Sequence, residues 1–232
     1  MTTISTNLQA VKQRIIKAAD TAAKSAAQIH LLAVSKTCPA NAVHEAFLAG
    51  QTEFGESYLQ EALNKIEVLR DLPLQWHFIG PIQSNKTRLI AEHFDWVHSI
   101  DRLKIAERLS QSRPVQLAPL NVCLQVNVSG ESTKSGVALK DVAALAKSVK
   151  ELPHLNLRGL MAIPKETSDY AQQREQFKIL RDIYDQLNNA GLQLDTLSMG
   201  MSHDLEAAIA EGATIIRVGS AIFGTRTSSN SG

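Results

Sequence analysis

Apolar positions in this chain recur in two alternating rhythms. Over residues 5–26, Leu8, Val11, Ile15, Ala18 and Ala22 fall three or four apart with polar residues between them, a spacing that predicts an amphipathic helix. Over residues 29–39 an aliphatic run ends in a single lysine, Lys36, and is stopped by Pro39. That run reads as a buried strand flanked by helices. Strand-like runs return at residues 53–56, 74–80, 96–100, 121–128, 155–163, 196–201 and 214–223, which makes eight with the first. Helical patterns separate them: residues 41–49, with Asn41 as the cap and Gly50 at the end, then 57–70, 85–93, 102–111, 139–150, 169–188 and 203–211.

Eight βα units point to a single closed parallel (β/α)8 barrel of the TIM type with one extra N-terminal helix, occupying residues 1–232 as one domain. A doubly wound open sheet is the alternative. It normally carries a Gly-rich turn after its first strand, and Ser35, Lys36, Thr37, Cys38 and Pro39 stand there instead. The Ser-rich tail, residues 227–232, reads as a frayed end.

Composition narrows the function classes. With 44% hydrophobic residues, 20% charged residues and a formal net charge of +1, the chain gives no electrostatic reason to expect nucleic acid or a membrane surface as partner. Cys38 and Cys123 form no CxxC pair, which suits free thiols in a reducing compartment. With no leader-like or membrane-spanning apolar run, the expected location is the cytoplasm. A lone barrel without an obvious extra apolar face makes a monomer the default.

In a barrel of this kind the C-terminal ends of all strands face one mouth, where distant side chains converge. The residues so placed are Lys36, Glu56, Ser57, His77, Gly80, Asn127 and Met161, then residues 198–202 and 217–220. A lysine sheltered at a strand end can act as a nucleophile when desolvation leaves part of it neutral, although most such lysines reach into water. Phosphate sites in barrels are often built from the loops after strands seven and eight. There the chain offers Ser198, Gly200 and Ser202, and then Gly219 and Ser220. Arg217 shares a strand face with Ile215 and Gly219, pointing inward. A buried guanidinium needs a partner, either a carboxylate such as Glu56 or an acceptor on a cofactor. A lysine able to form a Schiff base, an anion nest and an arginine able to meet a ring nitrogen together describe a pyridoxal phosphate (PLP) site.

Longer motifs support that description. They are Ala-Val-Ser-Lys-Thr at 33–37, Phe-Gly-Glu at 54–56, Trp-His-Phe-Ile-Gly-Pro-Ile-Gln-Ser-Asn-Lys at 76–86, Lys-Ser-Gly at 134–136, Arg-Gly-Leu-Met-Ala-Ile at 158–163, Ser-Met-Gly-Met-Ser at 198–202 and Arg-Val-Gly-Ser-Ala-Ile-Phe-Gly at 217–224. Over residues 8–226 the chain resembles the YggS/PROSC family of PLP homeostasis proteins, which is similar in fold to the N-terminal barrel of alanine racemases. The resemblance implies an internal aldimine on Lys36, phosphate held by Ser202, Gly219 and Ser220 with Ser198 in the same turn, Arg217 near the pyridine nitrogen, and His77 and Met161 lining the pocket. Ser57 stands where the family more often has asparagine, though serine retains a donor and an acceptor.

Three functions compete. The first is a carrier that holds PLP on Lys36 without turnover and delivers it to apo PLP-dependent enzymes. The second is a PLP-dependent amino-acid racemase, which needs an acid/base group on each face of a planar carbanion. In alanine racemases a tyrosine from an additional domain supplies one of them, and Tyr58, Tyr170 and Tyr184 here all fall in helical patterns. The third is a cofactor-free Schiff-base aldolase acting on a sugar phosphate. The carrier is favoured, because an arginine at the pyridine nitrogen weakens the ring as an electron sink. Cys38 reads as an idle thiol, the seven histidines give no metal-binding pair, and Lys134 is at most a surface anion contact.

Overall fold

The structure, a computed structural model, describes residues 3–131 and 135–224. Eight parallel strands close in sequence order: β1 His30–Val34, β2 Glu53–Glu56, β3 Gln75–Phe78, β4 Trp96–Ile100, β5 Leu120–Gln125, β6 Leu155–Met161, β7 Thr196–Ser198 and β8 Ile215–Val218. β1 also pairs with β8, setting Leu32 opposite Arg217 and Ala33 opposite Val218. Helix α1, Ile4–Thr21, precedes the barrel. The outer ring holds α2 Ala40–Leu48, α3 Leu59–Val68, α4 Thr87–His93, α5 Leu103–Ser112, α6 Val142–Lys150, α7 Tyr170–Asn189, α8 Leu205–Ala210 and α9 Ser220–Phe223.

The two faces of the strands carry different cores. Outward residues such as Phe54, Phe78, Val97, Leu124 and Ile216 join helix side chains in one large apolar layer. Inward, Leu32, Trp96, Cys123, Met161 and Ile215 form a small separate cluster with Ile79 against it. Strand period two sorts these residues to opposite faces. Between β6 and β7 the backbones approach so closely that a Cβ on Gly159 would sit 1.8 Å from the Thr196 carbonyl oxygen, so only glycine fits there.

α1 buries Leu8, Val11, Ile15, Ala18 and Ala19, and Thr3 caps it by accepting from the Thr6 N–H at 3.1 Å. At α7 the Asp169 carboxylate caps Ala171 and Gln172. Two expectations need correction. The N-cap of α2 is Pro39, at φ −72° and ψ 161°, and Asn41 lies inside the first turn. Proline's fixed φ suits the extended entry, and Pro39 makes no side-chain cap bond. The last strand ends at Val218, and residues 220–223, expected to extend it, form one helical turn in which Ile222 and Phe223 N–H groups donate to the Gly219 carbonyl. A short apolar run does not distinguish strand from helix by period alone.

Candidate functional site

The strand ends enclose a cavity of about 460 Å³ lined by Lys36, Met161, Ser202, Arg217, Gly219 and Ser220, with Ser57 also on its wall. Six of the eight sequence-nominated residues therefore meet in one place. His77 and Ser198 do not line it.

Lys36 lies two residues past β1, and its neighbours are fastened from outside the barrel. Ser35 Oγ donates to Glu56 Oε1 at 2.6 Å. Lys65 Nζ donates to that same oxygen and to the Ser35 carbonyl, both at 2.7 Å. Lys65 also reaches Glu61 Oε1, which accepts from the Thr37 N–H at 2.6 Å. The residues before and after Lys36 are thus pinned by one charged network, buried at Glu56 and Lys65 and partly exposed at Glu61, and Thr37 is held at φ 66°. Glu56 is fully buried, with Oε2 meeting no hydrogen-bond partner among the described residues, and burial pushes its carboxyl pKa above the ordinary value despite Lys65. Of the two partners open to Arg217, a carboxylate such as Glu56 or an acceptor on a cofactor, the Glu56 pairing does not form. Glu56 and Arg217 sit on opposite faces of the sheet, because period two turns Glu56 outward toward α3. In sequence, a lysine four residues after a glutamate reads as a solvated helix pair, which hides the role of Lys65.

Arg217 enters the barrel and is 4% exposed. Nη1 donates to the Ser198 carbonyl at 2.6 Å and to Ser198 Oγ at 2.9 Å, and Nη2 donates to the Ala162 carbonyl at 2.9 Å. All three acceptors are neutral. Burial lowers the guanidinium pKa to about 10, which leaves it a cation at neutral pH. Ser198 is wholly buried behind Arg217, and its Oγ also lies 2.8 Å from His98 Nδ1.

His77 lies deeper than its place near the end of the third run suggested. It pairs in register with Trp96, the first residue of β4, and stacks on that indole at 5.3 Å between ring centroids. It helps line a cavity of about 720 Å³ at the opposite mouth, beside Gln75, Trp96 and Arg158. Period two gave the face of the strand but not the depth, which the stagger between strands determines. His98, which bonds both Ser198 and His77, carries no sequence signal beyond a histidine with no metal-binding pair.

The turns after β7 and β8 form the other wall. Gly200 holds φ 92°, and a Cβ there would lie 2.5 Å from Ala208 Cβ. Its carbonyl accepts from the Arg217 N–H at 3.0 Å, tying the two turns together. Among the described residues, the N–H groups of Ser202, Gly219 and Ser220 donate to no protein acceptor, and neither do the two hydroxyls. α1 supports both turns from behind: Arg14 Nη1 donates to the Ser202 carbonyl at 2.7 Å and Asn7 Nδ2 to the Ile222 carbonyl at 2.9 Å. Small residues and unengaged donors opposite a lysine are suited to a phosphorylated ligand.

Glu166, Thr167, His203 and Asp204 also line the cavity and were not singled out from sequence. Asp204 accepts from the Met201 N–H, and burial raises its carboxyl pKa. Asn127 instead organises its own loop, accepting from Ser129 Oγ and the Gly130 N–H. Cys123 is buried, with its thiol pushed above the reactive range. Among the described residues no group of three or more His, Cys, Asp or Glu is placed to hold a metal ion, and no helix is long and apolar enough to cross a membrane. Lys134 and the tail fall outside the described residues.

The sequence profile of the family described as alanine racemase, N-terminal domain, matches residues 6–227. The chain is 63% identical over 226 residues to a pyridoxal phosphate homeostasis protein of Pseudomonas aeruginosa, covering 97% of each chain. It is 52% identical over 229 residues to the protein of that name from Escherichia coli, covering 97% of this chain and 98% of the other. PipY of Synechococcus elongatus, solved with PLP bound, superimposes with a TM-score of 0.80 at 40% identity, covering 90% of this chain and 100% of PipY. Alanine racemase from Corynebacterium glutamicum shares the fold at 17% identity and a TM-score of 0.67, with this chain spanning 61% of the racemase.

Proposed function

The chain belongs to the family of pyridoxal phosphate homeostasis proteins built on the alanine racemase N-terminal barrel, and on that premise we propose that it holds PLP reversibly on Lys36 and supplies it to recipient apo-enzymes. The observation that carries this reading is the convergence of Lys36, Arg217 and the donor-rich turns at Ser202, Gly219 and Ser220 on one cavity. When bound, the cofactor supplies an aldehyde that condenses with a primary amine, releasing water in a link that water reverses. Lys36 contributes that amine. The N–H and hydroxyl groups of Ser202 and Ser220, with the Gly219 N–H, bind the phosphate dianion without first breaking a protein hydrogen bond. Arg217, a permanent donor whose hydrogen-bond acceptors among the described residues are all neutral, would meet the ring nitrogen as a donor and disfavour its protonation. Met161, on the cavity wall, would give the ring an apolar contact.

The disposition of the tyrosines supports holding over turnover. Tyr58 and Tyr170 are 56% and 50% exposed, while Tyr184 donates to the Leu194 carbonyl and helps line the opposite mouth. Among the described residues no tyrosine lines the Lys36 cavity, so the second acid/base group of a tyrosine-dependent racemase is not supplied from within. In this reading the protein works in the cytoplasm as a monomer.

Borohydride reduction of the protein mixed with PLP, followed by peptide mass spectrometry, tests the assignment. A pyridoxyl adduct on Lys36, lost in Lys36→Ala, is the expected result. No uptake of PLP, or an adduct confined to other lysines, overturns it. Interconversion of alanine enantiomers by the holo-protein at ordinary enzymatic rates would replace the carrier with the racemase.

A further inference from the structure

The hydrogen bonds behind Arg217 have a direction that follows from what each group can donate. A guanidinium has donors only, so Ser198 Oγ accepts from Nη1. The hydroxyl has one hydrogen, and its remaining partner is His98 Nδ1 at 2.8 Å. It donates there, which leaves Nδ1 without a proton. His98 is fully buried and neutral, its pKa lowered by burial to about 3, so its proton is on Nε2. Nε2 lies 2.9 Å from His77 Nδ1 and donates to it. His77, also kept neutral by burial, then carries its proton on Nε2, 3.1 Å from Gln75 Oε1, and donates in turn. Four hydrogen bonds thus point the same way, from Arg217 on β8 through β7 and β4 to β3.

Taking the cavity to be the PLP site, we propose that Ser198, His98 and His77 are positioning residues: a one-way chain of neutral hydrogen-bonding groups through the barrel interior that fixes the orientation of the Arg217 guanidinium without placing a carboxylate in hydrogen-bond contact with it, the Asp204 carboxylate on the same cavity wall acting on it only through space. A carboxylate in Ser198's place would orient the arginine equally well but would cancel the field it presents. Neutral partners with fixed tautomers orient without cancelling. The far end is itself anchored, because His77 stacks on Trp96 at an interplanar angle of 4° and Arg158 lies 4.8 Å from the centroid of that indole. The chain also accounts for two polar residues that the ligand cavity does not use.

Ring-nitrogen NMR on the ¹⁵N-labelled apo-chain at neutral pH reads the direction without any cofactor. Both His77 and His98 are expected as Nε2–H tautomers, and a proton on His98 Nδ1 reverses the chain and overturns the proposal. The second arm compares His98→Leu, which removes donor and acceptor, with His98→Gln, which retains one of each. His98→Leu is expected to release PLP roughly tenfold faster, within the range seen for groups that orient a binding residue. It should also shift the absorption maximum of the Lys36-bound cofactor, with His98→Gln restoring both. Unchanged release and absorption in a folded His98→Leu chain overturn the proposal. If that chain does not fold, Ser198→Ala replaces it, with the same shift and faster release expected and unchanged values overturning the proposal. Failure of the wild-type chain to take up PLP sinks the reading of the cavity, and the tautomers then decide the hydrogen-bond chain alone.

Discussion

Lys65 bridges Glu56 Oε1 and the Ser35 carbonyl at 2.7 Å each, so a buried ammonium on α3 sets the position of the residue immediately before Lys36. Removing one member of a buried pair strands the other, at a cost of about 3–5 kcal/mol, whereas removing both charges costs far less. Lys65→Met should lower the urea midpoint markedly and speed PLP loss, and adding Glu56→Gln should recover most of the stability. The cycle is read by denaturation of all four proteins. Additive losses would mean that the two residues do not act together.

Arg14 braces the Ser202 turn from α1 while remaining partly exposed, with its side chain 38% accessible in the ion pair with Glu206. Exposed pairs contribute below about 1 kcal/mol. Arg14→Ala should therefore change the melting temperature little and raise the PLP off-rate several-fold. A large stability loss with unchanged release would contradict a bracing role.

Gly200 combines a positive φ with a site where a Cβ would meet Ala208 Cβ at 2.5 Å and Ile216 Cδ1 at 2.9 Å. Gly200→Ala should destabilise by roughly 2–4 kcal/mol, from backbone strain and overpacking together. It should also weaken phosphate binding, seen as a poorer inorganic phosphate competitor against PLP uptake.

The buried imidazoles make the fold acid-sensitive. His98 titrates near 3 when folded and near 6.5 when unfolded, so below 6.5 the unfolded chain binds the extra proton. Its stabilising contribution is whole above about 6.5 and is lost as pH falls toward 3. At pH 5 the loss from His98 is on the order of 2 kcal/mol. His77, shifted in the same direction, adds to it. Urea midpoints at pH 7 and pH 5 should differ less in His98→Gln than in the wild type, and equal differences would refute the assignment.

The barrel was legible because eight short apolar runs alternate with helical spacing, and the runs at Glu53–Glu56 and Trp96–Ile100 begin and end where β2 and β4 do. Arg217 could be turned inward by counting in twos, and its strand-mates Ile215 and Gly219 agree. Depth within the barrel cannot be counted in that way, and His77, expected at the Lys36 mouth, lies toward the opposite one. Partners were harder still. Lys65 looks like a solvated residue until α3 packs on β2, and Asp204 and His203 reach the cavity only through the turn that Gly200 makes possible.

The closing pair of strands, β1 and β8, carries Lys36 beyond one and Gly219 and Ser220 beyond the other. These are the staves farthest apart along the chain, and the hoop is complete only when they meet. Under the proposed function, a molecule gripped by amine on one side and by anion donors on the other would act as a clasp across that join. Ligand and barrel would then stabilise each other: amide exchange along His30–Val34 and Ile215–Val218 should slow on PLP binding, and the ligand-free barrel should open there first.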